Sequence, residues 1–244
     1  MAVKVIRTDL ASVMEAAARF RREAKAAAGF AHPNVVTIHD FGVAEDDRAY
    51  LVMELLSGCT LRDELQRLGR MHSDRALEIL RGVSGAVAEA HDRRLLHRDL
   101  KPENIFLCRS KAKEVAKVLD FGLVKPMMPV GAMGSTAGSM PGVLIGTLPY
   151  MSPEQLQGEA SAESWDLWAL AVVSFEMFAG VHPFASFEAW SSAIANQRFP
   201  PFNADAPGLT QPLGEFFARS LAIERSRRLA SARQFMEQLQ AGCK

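Results

Sequence analysis

The chain has 244 residues, enough to bury a substantial core in one large unit or two small ones. Lysine plus arginine number 28 and aspartate plus glutamate 28, so no net field favours nucleic acid, an anionic membrane or an acidic substrate. The cysteines Cys59, Cys108 and Cys243 lie far apart with no C-x-x-C pairing, and no apolar run nears the roughly 18 to 20 residues of a membrane span.

That balance, with no basic-then-apolar leader at the start, reads as a soluble cytoplasmic protein without a disulfide scaffold or zinc site. In chain order, residues 2–6 (AVKVI) read as a strand. Ser12-x-x-Glu15 forms a capping box that opens a helix running to about Ala28, where Gly29 stops it. Val13, Ala17, Phe20, Ala24 and Ala27 give this helix one buried face. After the His32-Pro33-Asn34 turn, residues 35–43 and 49–55 read as strands joined by the polar turn 45–48.

From Thr60 the pattern turns helical: LRDELQRL, then a long helix from Ser73 to about Arg94 with Ala76, Leu80, Val83, Val87 and Ala90 on one side. Residues 105–108 and 116–119 read as a short hairpin. Residues 127–142, dense in Gly, Ser and Pro, read as a loop, and helical patterns dominate beyond Ser152.

The stretch HRDLKPEN at 97–104, with VLDFG at 118–122, carries the chemistry. Moving a phosphoryl group needs a carboxylate to orient the attacking hydroxyl, cations to offset charge, and oxygen donors for magnesium. Asp99, Lys101, Asn104 and Asp120 are residues of those types. Taken singly, Asp99 or Asp120 reads as a turn or cap residue; it is the ordered set that points to this chemistry.

Together with GTLPYMSPE at 146–154, these motifs resemble the catalytic loop, magnesium loop and activation-segment end of eukaryotic-type Ser/Thr protein kinases, the bacterial members being nearest in style. The resemblance covers essentially the whole chain. It implies an α+β, two-lobed, protein-kinase-like fold, with a small, incomplete antiparallel-sheet N-lobe plus one helix and a mainly helical C-lobe. Residues 1–56 would be the partial N-lobe and hinge, and residues 57–244 the C-lobe.

By the same resemblance the cofactors are ATP and Mg2+, and the partner is a protein carrying a Ser or Thr acceptor. Asp99 would orient the acceptor hydroxyl, Lys101 would offset γ-phosphate charge, and Asn104 and Asp120 would hold the metal. Lys4 would touch the α- and β-phosphates with Glu23 as its helix partner. Met53 would be the gatekeeper, Glu54 and Leu56 would offer backbone groups to adenine, and Ala2 and Phe106 would wall the ring. His97 and Phe121 would form an internal spine, Asp166 would brace the catalytic loop, and Glu154 with Arg228 would anchor the activation segment. Arg98 would meet a phosphate on that segment, where Ser135, Thr136 and Ser139 are candidate sites and Thr147 packs near the acceptor. The resemblance also leaves room for a homodimer in which one chain phosphorylates its partner.

The pattern departs from the family in one large respect: no glycine-rich hairpin precedes Lys4. Such a hairpin supplies backbone N–H groups over the phosphates, so the chain as given is expected to be impaired, with an open strand edge at residues 2–6. Met1 stands where the family has valine, which suggests a start assigned inside a longer gene; an artificial boundary is the alternative. Ser152 and Ala171 replace an alanine and a glycine of the family pattern and are small enough to be tolerated. The rival reading is a non-catalytic pseudokinase or protein-docking module. A small-molecule kinase of the aminoglycoside type ranks lower, having no reason to carry Lys101-Pro102-Glu103 or the SPE anchor.

Overall fold

The computed structural model describes residues 1–6, 14–44, 48–109, 113–121, 148–184, 206 and 208–243. Along the chain, β1 (Ala2–Ile6) and α1 (Met14–Ala28) precede β2 (Ile38–Val43) and β3 (Ala49–Met53). β4 (Gly58–Thr60) leads into α2 (Leu61–Leu68) and α3 (Ser73–Asp92), followed by β5 (Ile105–Arg109) and β6 (Glu114–Val118). The later helices are α4 (Pro153–Leu156), α5 (Glu163–Ala179), α6 (Gln211–Ser220) and α7 (Ala232–Gly242). Ser12, residues 127–142, with the candidate sites Ser135, Thr136 and Ser139, and Thr147 lie outside the described residues.

Two antiparallel sheets divide the strands. The first has the order β1-β3-β2, with Lys4 opposite Leu51 and Ala2 opposite Met53. The second has the order β4-β5-β6. Each has its own core. Phe20 and Ala24 of α1 pack on Ala49 and Leu51 of β3, and a much larger cluster is centred on α3 and α5. The result is the small sheet with one helix, and the mainly helical lobe, that the motifs imply.

Local rules explain the helical lobe. Thr60 accepts from Asp63 N–H while the Asp63 carboxylate accepts from Thr60 N–H, a reciprocal capping box that starts α2. In α5 the sequence WDLWALAVVSFEMFA is apolar nearly all round, which marks a helix buried on every side. It ends at Gly180, whose φ of 74° is open to glycine at low cost. Among the described residues no helix is long and apolar enough to cross a membrane.

Two strands are shorter than their sequence pattern. The run expected over 35–43 becomes a strand only at Ile38, because Val35 and Val36 are taken up by β6: Val36 N–H donates to Val118 O at 3.0 Å and Val118 N–H to Asn34 O at 2.8 Å. The run expected over 49–55 stops at Met53, where Glu54 N–H turns to Thr37 O at 3.0 Å. β4 carries no alternation that would reveal it. Gly58 lets it approach β5, since a Cβ there would fall 1.9 Å from Leu107 O.

Candidate active site

Residues 97–104 are fixed from below by one buried carboxylate. Asp166 on α5 accepts from His97 N–H at 2.9 Å and from Arg98 N–H at 2.7 Å, and its Oδ2 also meets His91 Nε2 at 2.8 Å. These bonds hold Arg98 at φ 67°, a left-handed conformation that a side chain other than glycine rarely adopts. The bracing role expected of Asp166 is therefore present in the geometry.

His97 occupies the centre of the loop. Its Nδ1 accepts from Asp99 N–H at 3.2 Å, which leaves Nε2–H to donate to Leu119 O at 2.8 Å. Its ring meets Phe121 edge-on at 4.8 Å, and Phe121 meets Phe30 at 5.4 Å. This stack is the expected internal spine.

Asp99, Lys101 and Asn104 converge. Asn104 Nδ2 donates to Asp99 O at 2.8 Å and to Asp99 Oδ2 at 3.0 Å, and Lys101 Nζ lies 3.7 Å from the same Oδ2. Asn104 O in turn accepts from Leu119 N–H at 2.8 Å, so the loop is stitched to the residue directly before Asp120. Asp120 stands at φ 59°, a second left-handed residue at the site. Its carboxylate is bonded to Lys4 Nζ from β1.

Lys4 and Glu23 do not meet. Lys4 is taken by Asp120, and Glu23 on α1 accepts from Arg98 Nη1 at 3.3 Å. The expected helix partner of Lys4 is thus tied to the 97–104 loop. Lys4 and Arg98 are paired with different acids, and among the described residues Glu23 Oε2 has no donor.

The residues expected around adenine occupy the passage between the sheets. Met53 ends β3 opposite Ala2, residues 54–57 cross to β4, and Phe106 on β5 lies opposite both Thr60 and Lys117. A cavity of 290 Å³ lies elsewhere, between α3 and β6, and none of the expected site residues lines it.

The donor chemistry suits a hard cation. Asn104 commits its amide nitrogen to Asp99, which leaves its side-chain oxygen as a neutral donor to complement the Asp120 carboxylate. One amide and one carboxylate leave most positions of a magnesium ion to water and phosphate oxygens.

Two polar networks were not foreseen. Glu54 binds Lys117 through its side chain, at 2.6 Å. A lysine three residues before Asp120, set between Ala116 and Val118, was the available signal. Arg62 on α2 donates to Glu103 at 2.9 Å and bonds Tyr150, whose hydroxyl donates to Glu176 at 2.7 Å. Burial and the adjacent Glu176 push the Tyr150 hydroxyl pKa up. The anchor at Glu154 and Arg228 was foreseen and is bidentate, at 2.8 and 2.9 Å, with Ser164 donating to Glu154 at 2.8 Å.

The model of the family described as Protein kinase domain matches residues 1–239. The chain is 38% identical over 194 residues to serine/threonine-protein kinase PrkC of Bacillus subtilis, a match over 80% of this chain and 28% of that protein. It is 36% identical to serine/threonine-protein kinase pkn3 of Myxococcus xanthus, over 98% of this chain and 44% of that one. The chain therefore spans less than half the length of these relatives. In fold it is similar to a crystal structure of the PknI kinase domain of Mycobacterium tuberculosis, with TM-score 0.71 and 24% identity over 99% of this chain and 84% of that one.

Proposed function

Because the chain belongs to the protein kinase domain family, we propose that it is an ATP-dependent protein serine/threonine kinase or the catalytic part of one. The observation that carries the reading is the bonded set Asp99, Lys101 and Asn104, joined through Leu119 to Asp120 and so to Lys4. Two lobes meeting at a hinge, residues 1–56 and 57–244, are supported by the separate small core of α1 and β3, although Phe30 and Val35 pack in the larger cluster.

Bound Mg-ATP would supply the phosphoryl group, and Asn104 and Asp120 are the residues to hold its metal. Asp99 accepts the proton of a Ser or Thr hydroxyl brought against it, and its orientation is set by the two bonds from Asn104. Lys101, beside the same carboxylate, offsets charge gathering on the transferred group. Lys4 exchanges Asp120 for the α- and β-phosphates. Ala2, Met53, Glu54, Leu56 and Phe106 form the adenine end, with the Glu54 and Leu56 backbones as polar contacts.

The test is a melting shift with Mg-ATP, followed by transfer of labelled γ-phosphate to protein and to small-molecule acceptors. Transfer to Ser or Thr that Asp99→Asn abolishes supports the kinase. Binding without transfer supports the docking-module reading, and transfer only to small molecules overturns both.

A further inference from the structure

The crossover between the two sheets is four residues long, 54–57, and has no regular structure of its own. Leu55 in its middle is 72% exposed. A segment so short and open would flex unless something held it, because backbone order costs about 1 to 2 kcal/mol per residue.

Its far end is tied to β5, where Ser57 O accepts from Arg109 N–H at 3.0 Å, and its near end is gathered on one side-chain oxygen. Glu54 Oε1 accepts from Lys117 Nζ at 2.6 Å and from Thr37 N–H at 2.8 Å. Lys117 Nζ also donates to Val35 O at 3.3 Å, and Glu54 N–H donates to Thr37 O at 3.0 Å. Three separate pieces of chain meet there: the crossover, the segment entering β2, and β6. Both side chains are largely covered, Glu54 at 27% and Lys117 at 17% exposure. A lysine this covered is not a solvating surface charge. Burial would raise the Glu54 carboxyl pKa, and the Lys117 bond and Thr37 N–H outweigh that and hold it below its ordinary value.

The position of the pair gives it more than a structural meaning. Lys117 lies three residues before Asp120 on the strand that leads to it, and Glu54 is the first residue of the crossover. We infer that Lys117 and the side chain of Glu54 are a positioning pair, fixing the crossover at a set distance from Asp120 so that one nucleotide can reach both. The inference deepens the kinase reading and rests on it for the ligand. A ligand gripped at two ends binds tightly only when the ends are spaced for it beforehand, so the pair acts on nucleotide affinity and leaves the transfer step to Asp99.

Lys117→Met keeps the lysine stem without its charge, and Glu54→Gln keeps an oxygen for Thr37 N–H while losing the charge. In the full chain without nucleotide, each variant is expected to speed amide exchange at residues 54–56 by about tenfold. With Mg-ATP, each raises the KM for ATP about threefold to tenfold, with kcat at saturating ATP within about twofold. The double variant falls no further than the worse single variant, since the second change removes a partner already lost.

Unchanged exchange in both single variants overturns the inference, as does an unchanged KM where the wild type binds Mg-ATP normally. Single effects that simply add in the double variant also overturn it. Should Lys117→Met fail to fold, the near-isosteric Glu54→Gln decides alone. Faster exchange in the variants of a chain whose wild type shows no Mg-ATP binding supports the clamp and overturns the kinase reading.

Discussion

Arg98 donates to Glu23 across 3.3 Å, so α1 is tied to the 97–104 loop rather than to the lysine of β1. Two ion pairs, Lys4 with Asp120 and Arg98 with Glu23, stand where a Lys4–Glu23 pair was expected. Neither pair is deeply buried. Exchange between the arrangements therefore costs little in ion-pair energy, since such pairs are worth about 0 to 1 kcal/mol.

This arrangement makes Glu23 separable by experiment. Glu23→Gln is expected to leave the melting midpoint nearly unchanged, because it removes only a half-exposed contact to Arg98. It should weaken Mg-ATP binding by about tenfold if Glu23 moves to Lys4 in the nucleotide complex. Equal affinity for wild type and variant, measured by titration, would show that Glu23 has no part in holding the nucleotide.

Asp99 lends itself to a sharper test. Asn104 Nδ2 bonds the Asp99 carboxylate and backbone oxygen while Asp99 N–H donates to His97 Nδ1, so Asp99→Asn keeps the shape of the loop while removing the proposed proton acceptor. Transfer to a protein acceptor is expected to fall by about 10² to 10⁴, with Mg-ATP affinity within a few fold. The two readouts, turnover and binding, must separate; a parallel loss of both would mean that the loop itself had collapsed.

How much of this was legible in the sequence depends on range. HRDLKPEN and DFG are local runs, so the roles suggested for Asp99, Asn104 and Asp120 could be matched by order alone, and the structure brings them together through Leu119. Asp166 and the Glu154–Arg228 anchor were likewise indicated by their motifs. The partners of Lys4 and Glu23 were not, because an ion pair is chosen by distances of a few ångströms between elements, and sequence spacing does not set those. The shortening of the 35–43 strand has the same origin. Val35 and Val36 are good strand formers, and their backbone is used, but by β6 more than 80 residues away. Gly58–Thr60 was missed because a three-residue strand containing glycine has no period to read.

Glu64 should govern part of the acid stability. The Arg67 guanidinium bonds it, burial opposes, and Arg75 and Arg109 add to Arg67, bringing its carboxyl from an ordinary 4.5 down to about 2. A carboxyl lowered on folding stabilises the fold fully above its unfolded value and loses that contribution as pH falls through the folded one. The loss attributable to Glu64 therefore falls between pH 4.5 and about 2. Glu64→Gln should be less stable than wild type at pH 7 and show a shallower decline over that window in pH-dependent denaturation. An identical slope in both proteins would place the acid sensitivity elsewhere.

Gly58 makes the crossover's exit a point of steric risk. Its φ is 149°, and an added Cβ would sit 1.9 Å from Leu107 O, inside a strand pair that has no flexible side chain to yield. Gly58→Ala should cost about 1 to 3 kcal/mol by chemical denaturation, through strain and loss of the β4–β5 pairing. A neutral result would show that β4 can peel from β5 without consequence for the lobe.

The Glu154–Arg228 pair distinguishes stability from architecture. Arg228 is stacked 4.7 Å over Trp168, donates from two nitrogens to Glu154, and donates also to Ala222 O and Ile223 O. Burial pushes the Glu154 carboxyl pKa up, but the Arg228 bonds and charge prevail and hold it below its ordinary value. Its stabilising contribution is thus complete above the ordinary value of 4.5 and is lost as acid reaches the lowered one. Arg228→Met strands a buried carboxylate and should cost about 3 to 5 kcal/mol at pH 7. Adding Glu154→Leu should recover part of that loss, because the uncompensated charge is then gone and apolar side chains fill the site. The recovery, read from denaturation midpoints of the two variants, is what separates an ion pair that holds α4 in place from one that merely avoids burying a lone charge. No recovery would mean that the bonds from Arg228 to Ala222 O and Ile223 O, and its stacking on Trp168, carry the anchor on their own.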